Sequence, residues 1–198
     1  MQYGFYFDQS RCIGCFTCQI ACKDWHEYDL GSEPANWINI NTMEKGKFPD
    51  LSVSYLFLTC YHCVNPPCVP VCPVEAITKR EEDGIVVIDR EACLGKASCD
   101  AFCKEACPYN APEFGFEPGT KMQKCALCLD RWAGGKKPIC VEACPMRALD
   151  AGPIDELRTK YGDTRAAEGF FYSEKMRPSI IFKLRRQKVP ACSHSEKK

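Results

Sequence analysis

The feature that most constrains this chain is the spacing of its cysteines, which number 17 in 198 residues. Residues 12–22 carry four of them in the pattern C-x2-C-x2-C-x3-C, and three further groups of four follow along the chain. The groups are Cys12, Cys15, Cys18 and Cys22; Cys60, Cys63, Cys68 and Cys72; Cys93, Cys99, Cys103 and Cys107; Cys125, Cys128, Cys140 and Cys144. Cys192 is left over and is interpreted as a bystander thiol. Strand, cysteine run and short helix recur, which predicts an internal repeat.

Tight groups of thiols on short loops indicate an iron–sulfur cofactor. In the C-x2-C-x2-C-x3-C run, three thiolates hold one cluster and the fourth ligates a second cluster. In three of the groups the last cysteine precedes a proline (Pro73, Pro108 or Pro145), which stops the local helix and turns the chain away. Cys22 is followed instead by Lys23. The four groups therefore predict four [4Fe–4S] clusters.

The third group is irregular, because five residues separate Cys93 from Cys99 and Lys96 stands where a second cysteine is usual. Either Cys93, Cys99 and Cys103 form the local triad while Cys107 ligates a neighbouring cluster, or Lys96 replaces a ligand and this cluster is [3Fe–4S]. Pro108 after Cys107 favours the first interpretation, with a four-iron cluster.

Two other uses of cysteine are less consistent with the pattern. A disulfide scaffold is typical of short secreted chains, but this count is odd and the cysteines lie in tight groups. Structural zinc sites combine two separated cysteine pairs, whereas residues 12–22 pack four cysteines into eleven residues. A zinc-stabilised interaction module remains the alternative from a different class.

The composition and the short motifs limit the kinds of partner and function that we expect for this chain. The 26 acidic and 26 basic residues give a formal charge of zero, so no nucleic-acid partner is indicated. Apolar runs such as Ile180-Ile181-Phe182 fall far short of the roughly 18 residues that a membrane span needs. The first eight residues show no secretory signal pattern. We find no nucleotide-binding motif and no nucleophile–base pair, so a non-catalytic chain is expected.

Between the cysteine groups the sequence predicts few regular elements. Strands are expected at residues 3–8 and 52–58, a helical turn at 23–27, and an irregular connection at 31–49. A hairpin is expected from Thr78 to Asp89, and a helix from Ile154 to Tyr161 that is closed by Gly162. Residues 163–198 are either a solvated tail or an arm that binds a partner subunit.

Aromatic and histidine side chains flank several cysteines. Trp25, Trp132 and Tyr61 are expected to shield clusters from water, which also tunes their potential. His26 and His62 are expected to hydrogen-bond a cluster or to face solvent rather than to ligate iron.

Two stretches carry a resemblance to a known family. They are Cys107-Pro108-Tyr109-Asn110-Ala111-Pro112, and the segment from Lys124-Cys125 through Cys144-Pro145-Met146-Arg147-Ala148-Leu149-Asp150 to Leu157. The chain resembles the iron–sulfur (beta) subunits of the dimethyl sulfoxide reductase family, the four-cluster electron-transfer subunits of molybdopterin oxidoreductases. The resemblance covers residues 1 to about 162.

The resemblance implies an α+β fold of two bicluster ferredoxin-like lobes, related by a pseudo-twofold axis and joined by many cluster-binding loops, with a C-terminal extension. The second lobe (59–114) would be inserted between the two parts of the first (1–58 and 115–152), and residues 153–198 would form a helix and a partner-binding tail.

The same resemblance implies how the groups pair, the first with the fourth and the second with the third. The implied ligand sets are Cys12, Cys15, Cys18 and Cys144; Cys125, Cys128, Cys140 and Cys22; Cys60, Cys63, Cys68 and Cys107; Cys93, Cys99, Cys103 and Cys72. The first set would lie nearest the catalytic subunit and the last at the far end.

The implied function is a relay of single electrons between a molybdenum or tungsten pterin catalytic subunit and an outside redox partner. That partner would be a membrane anchor, a quinone-linked subunit or a soluble electron carrier. The alternative is a free-standing polyferredoxin. The expected location is cytoplasmic or membrane-associated, or periplasmic if the chain is exported together with a catalytic subunit.

Overall fold

The computed structural model describes residues 1–26 and 35–185. The described strands are β1 (Tyr3–Asp8), β2 (Ile38–Lys45), β3 (Ser52–Thr59), β4 (Ile77–Lys79), β5 (Val86–Ile88), β6 (Leu149–Pro153) and β7 (Ile180–Lys183). The described helices are α1 (Thr17–Trp25), α2 (Lys96–Cys99), α3 (Phe102–Ala106), α4 (Leu129–Ala133), α5 (Ile139–Ala143) and α6 (Ile154–Tyr161). Within these residues, no helix has the length and apolar character required to cross a bilayer.

The two ends of the described chain meet in one three-stranded sheet. β1 lies at its centre, antiparallel to β6 and parallel to β7, so that Phe5 is opposite both Ala151 and Ile180. Five of the six β1 residues are buried, because one face packs on the aromatic core and the other is covered by α6. The sheet therefore brings the fourth cysteine group back beside the first.

Several predicted elements are confirmed. The expected strands at 3–8 and 52–58 are β1 and β3. The predicted hairpin is the antiparallel pair β4 and β5, and the predicted helix is α6, which ends before Gly162 at a φ of 87°. These elements follow from local patterns, such as apolar alternation and a glycine after a helix, and need no knowledge of distant contacts.

The prediction of an irregular connection at 31–49 was wrong for residues 38–45, which form β2 and pair with β3. Ile38 and Ile40 point into the core with exposures of 1% and 8%, while polar residues alternate with them. Pairing with the apolar strand β3 outweighs the weak local preference of a segment rich in Asn, Lys and Glu. Residues 31–34 of that connection lie outside the described residues.

The helical turn expected at 23–27 begins earlier than predicted, because α1 starts at Thr17 inside the first cysteine run and ends at Trp25. Cys18 and Cys22 are one turn apart on its buried face. Glu27, the last residue of the predicted turn, lies outside the described residues.

The segment after α6 matches neither of the two interpretations offered for it, as far as the structure describes it. Residues 180–183 form β7 in the central sheet, and Phe182 is 1% exposed. Phe170 stacks on Tyr109 with ring centroids 5.4 Å apart, and Ser179 N donates to Tyr61 O at 3.0 Å. This part of the tail is thus built into the chain's own core. Residues 186–198, with Cys192 and His194, lie outside the described residues.

Candidate metal centres

The loops that carry the cysteines share one backbone feature. A residue in the left-handed region immediately precedes three of the short helices: Phe16 (φ 59°) before α1, Ala101 (φ 51°) before α3 and Cys128 (φ 51°) before α4. The left-handed residue reverses the chain sharply, so that neighbouring N–H groups point into the loop. Such a loop offers amide donors to whatever its thiols bind.

Backbone amides already donate to thiol sulfurs in this structure. Leu127 N donates to Cys125 Sγ at 3.3 Å, Ala148 N to Cys144 Sγ at 3.3 Å, and Met122 N to Cys93 Sγ at 3.4 Å. These bonds stabilise negative charge on sulfur, which a ligating thiolate must carry. The loops are therefore organised to hold thiolates.

One cavity lies at the surface between the first group and the end of α5. It is lined by Cys12, Cys15, Cys18 and Cys144, together with apolar residues of β1, β2 and β3. Burial raises the pKa of Cys18 to about 12, and the neighbouring thiols Cys12 and Cys144 contribute to that rise. Cys15 is exposed, and a hydrogen bond from Thr17 lowers the pKa of its thiol.

A second cavity lies in the half of the protein that contains the hairpin β4–β5. It is lined by Cys72, Cys93, Cys99 and Cys103 within an apolar shell. Burial, followed by the neighbouring thiols Cys99 and Cys93, raises the pKa of Cys103 to about 11. Lys96 does not line this cavity. Its Nζ donates to the carbonyls of Gly115 and Phe116, each at 2.7 Å.

Seven of the other eight grouped cysteines are buried, and Cys107 is half-buried. We call Cys60, Cys63, Cys68 and Cys107 the first interior set, and Cys22, Cys125, Cys128 and Cys140 the second. Cys63 has a raised pKa because of burial and the nearby thiols Cys60, Cys107 and Cys68. The pKa of Cys140 is also raised, by burial and by Cys125, Cys128 and Cys22 in that order. Cys60 also raises the pKa of Cys125, after burial, so the two interior sets are neighbours.

The second interior set is bordered by polar and aromatic side chains. His26 Nε2 lies 3.3 Å from Cys128 Sγ, so this histidine contacts sulfur, one of the two roles expected for it. Arg131 lies 4.4 Å above the Trp25 ring and pairs with Glu142. Trp132 packs edge-on against Tyr3 with ring centroids 5.1 Å apart, and its role in shielding a cluster stays a prediction.

Two buried side chains lie beside the first interior set: His62, which therefore does not face solvent, and Lys124, which was not assigned a role from sequence. Lys124 is 2% exposed, and its Nζ donates to the carbonyls of Val86 and Cys125. His62 is fully buried, its Nδ1 accepts from Val86 N at 3.1 Å, and its Nε2 has no hydrogen-bond partner among the described residues. The only local signal was a lysine directly before a cysteine, and it does not distinguish a buried lysine from an exposed one.

The residues fit iron–sulfur clusters by donor chemistry. Soft thiolates select such clusters, and a buried ammonium without a carboxylate partner fits a net negative group nearby. Among residues 1–26 and 35–185, no three His, Cys, Asp or Glu side chains are placed to hold a single metal ion. The assignment of individual cysteines to individual clusters stays a prediction.

Comparison with known proteins agrees with this donor chemistry. Two family models match, each described as a 4Fe-4S dicluster domain, at residues 51–154 and 11–76. The chain is 45% identical to the B subunit of anaerobic dimethyl sulfoxide reductase from Escherichia coli (strain K12) over 190 residues, covering 92% of this chain and 88% of that protein. It is 42% identical to the corresponding subunit from Haemophilus influenzae over 191 residues, covering 92% and 89%.

A more distant relative is the thiosulfate reductase electron transfer subunit PhsB of Salmonella typhi, which is 37% identical over 156 residues, with 78% of each of the two sequences covered. The resemblance inferred from the cysteine motifs is thereby confirmed. The protein belongs to the 4Fe-4S dicluster family, together with the B subunits of the anaerobic dimethyl sulfoxide reductases.

Proposed function

We propose that this chain is an electron-transfer subunit that holds four [4Fe–4S] clusters and relays single electrons between a molybdenum or tungsten pterin catalytic subunit and an outside redox partner. Its family membership supports the electron-transfer role, and one relative, PhsB, is named as the electron transfer subunit of a thiosulfate reductase. The pterin metal and the outside partner rest on the resemblance described above.

The ligand sets that we propose are the four that the resemblance implies. Two of them line one cavity each, and in each of the other two the pKa of one thiol, Cys63 or Cys140, is raised by burial and then by the other three thiols of its set. The sets are Cys12, Cys15, Cys18 and Cys144; Cys22, Cys125, Cys128 and Cys140; Cys60, Cys63, Cys68 and Cys107; Cys72, Cys93, Cys99 and Cys103. The observation that carries the proposal is that two cavities are each lined by four cysteines, and that these fours are two of the sets the resemblance implies.

When bound, each cluster supplies a one-electron couple whose potential is set by burial, nearby charge and hydrogen bonds to sulfur. The chain's own residues supply those three influences. Cysteines hold iron, amides such as Leu127 N donate to sulfur, and aromatic residues such as Phe57 and Tyr61 exclude water from the core. Burial raises the pKa of most of the thiols, so cluster binding must release their protons.

Electrons would enter and leave at the two surface cavities. Apolar side chains are exposed at the rim of the first cavity, at Ile13 (55%), Phe16 (44%) and Met146 (40%). The rim of the other cavity exposes Leu94 (47%) and Phe102 (46%). Exposed apolar rims of this kind mark protein interaction sites. We assign the first cavity to the catalytic subunit and the other to the outside partner.

For the third group we propose a four-iron cluster. The Lys96 ammonium donates to two backbone carbonyls and is not part of the cavity lining, which supports Cys93, Cys99 and Cys103 as the local ligands and Cys72 as the fourth. The [3Fe–4S] alternative is tested by electron paramagnetic resonance of the oxidised protein, because an oxidised three-iron cluster is paramagnetic and an oxidised [4Fe–4S]²⁺ cluster is not.

The proposed lobes are 1–58 with 115–152, and the inserted 59–114, related by a pseudo-twofold axis. Pairing of β1 with β6 supports the first lobe, and the hairpin β4–β5 lies wholly within the second. The described part of 153–198 packs onto the first lobe through α6 and β7 and onto the second lobe through Phe170 and Ser179, so a partner-binding tail is proposed only for residues 186–198.

The location of the complex is proposed as cytoplasmic or membrane-associated, or periplasmic by co-export with the catalytic subunit. The outside partner is proposed as a membrane anchor, a quinone-linked subunit or a soluble carrier. Cell fractionation of the tagged chain tests the first point.

The central experiment is an anaerobic pull-down of the tagged full chain with metal analysis. We expect about sixteen iron atoms per chain, with molybdenum or tungsten in a co-purifying protein. Cys140→Ser is expected to lower the iron content to about twelve, whereas Cys192→Ser, outside the four groups, is expected to leave it unchanged. Iron-free protein that still supports electron transfer would refute the proposal. Iron-replete protein that never co-purifies with a pterin protein would favour the free polyferredoxin.

A further inference from the structure

Lys124 is a buried cation for which the described part of the chain contains no anionic partner. Its side chain is enclosed (2% exposed), and it takes part in none of the ion pairs formed by residues 1–26 and 35–185. Its ammonium instead donates to two neutral backbone carbonyls, of Val86 and Cys125. Carbonyls satisfy hydrogen bonds, but they leave the full positive charge uncompensated.

An uncompensated charge in a protein interior is strongly destabilising, so a buried ammonium needs an anion close by. The groups that face Lys124 identify that anion. Lys124 Nζ donates to the carbonyl of Cys125, a cysteine of the second interior set. It also donates to the carbonyl of Val86, which packs in one buried cluster with Cys68 of the first interior set. The neighbouring imidazole of His62 is fully buried and supplies no negative charge, because its Nδ1 accepts a hydrogen bond from Val86 N as a neutral ring nitrogen.

The network around Val86 holds this ammonium in place. His62 Nδ1 accepts from Val86 N while Lys124 donates to Val86 O, so two buried side chains are tied to the same residue of β5. Lys124 is also fixed by its own backbone position next to Cys125. The charge is therefore held in a rigid position rather than carried on a mobile surface side chain.

We propose that Lys124 is a counter-cation shared by the two interior cluster sites, and that it raises the reduction potential of both. The inference rests on the proposed function, because it requires clusters at those sites. Each reduction adds one negative charge to a cluster and its four thiolates, and a fixed positive charge nearby favours the more negative state. Because the Lys124 charge is shared between neighbouring sites, it also offsets the repulsion between an electron on one cluster and an electron on the next.

The test is a redox titration of the purified complex, followed by electron paramagnetic resonance so that the four clusters are read separately. In Lys124→Met, the ratio of oxidised to reduced cluster at a fixed potential is expected to rise at least tenfold for two of the clusters. A tenfold change corresponds to a downward shift of the reduction potential of about 59 mV for a one-electron couple. Lys124→Arg keeps the charge and should leave all four potentials close to wild type. Lys45→Met removes a largely exposed lysine that pairs with Glu168, and should also leave them unchanged.

A Lys124→Met complex that contains full iron and four wild-type potentials would overturn the proposal, as would equal shifts of all four clusters. If the Met variant loses iron, Lys124→Gln restores a donor to the carbonyls without the charge. If Lys124→Met and Lys124→Gln both lose iron while Lys124→Arg retains it, the result supports the counter-cation. If all three variants lose iron, the result overturns the proposal and indicates a steric role for the lysine. Wild-type protein without clusters would refute the proposed function instead, and is recognised before any variant is compared.

Discussion

Removal of the Phe182 side chain tests whether the segment after α6 is part of the cluster-bearing core. Phe182 is 1% exposed in β7, and its ring lies 4.7 Å (centroid to centroid) from that of Phe170. Phe170 in turn stacks on Tyr109, two residues after Cys107. Phe182→Ala therefore leaves a cavity that reaches towards an interior cluster loop.

The size of the effect follows from burial. A buried Phe→Ala change costs about 3–5 kcal/mol, because apolar transfer energy is lost and the surrounding residues collapse only partly into the cavity. For a chain of this size, each kcal/mol shifts the melting temperature by roughly 2–4 °C. We therefore expect a decrease of about 6–20 °C.

The assay is loss of the broad cluster absorbance near ~400 nm on heating at one fixed rate, since cluster loss is irreversible and only matched scans compare fairly. Phe171→Ala is the matched control, because that phenyl ring lies one residue from Phe170 and is 67% exposed. We expect the control to melt like wild type. A Phe182→Ala chain that melts within about 2 °C of wild type but no longer binds the catalytic subunit would refute the reasoning and restore the interpretation of this segment as a partner-binding arm.

Three further predictions address single sites. Lys96→Met should retain about sixteen iron atoms per chain and show no three-iron signal when oxidised, because the ammonium is bonded to carbonyls outside the cavity; loss of the third-group cluster would contradict this. Gly14→Ala should lower iron to about twelve, since a Cβ would lie 2.3 Å from the Tyr55 ring at a residue with φ of 67°. Gly119→Ala, with nothing within 4 Å, is its control, and equal iron in both variants would contradict the prediction. Burial alone would raise the pKa of the Asp150 carboxyl, but hydrogen bonds from Lys137, Tyr161 and Lys160 hold that pKa below 3.8. The carboxylate therefore stabilises the fold above pH 3.8, and this stabilisation is lost as the pH falls through the folded-state pKa. The difference in urea stability between wild type and Asp150→Asn should therefore shrink below about pH 5, and a difference that is constant down to about pH 3 would contradict the assignment.

Local patterns accounted for the elements whose energy is local. β1, the β4–β5 hairpin and α6 each follow from alternation, a turn or a terminal glycine within a few residues. β2 was missed because its polar sequence becomes a strand only against β3. β7 was missed for a similar reason: a four-residue strand is stable only beside β1, which lies at the other end of the chain. In both cases the partner strand is not visible in a short window of sequence.

The sequence by itself determined the chemistry. Sixteen cysteines in four short-range groups predict the donors of iron–sulfur clusters in any arrangement, because ligand type and loop spacing are local properties. Only the tertiary structure decided which side chains surround those thiols: Lys124 is buried and pairs with no carboxylate of the described residues, Lys96 donates to two backbone carbonyls outside the cavity, and β7 completes the central sheet. Burial and charge pairing depend on contacts between residues far apart in the chain, and those contacts exist only once the chain has folded.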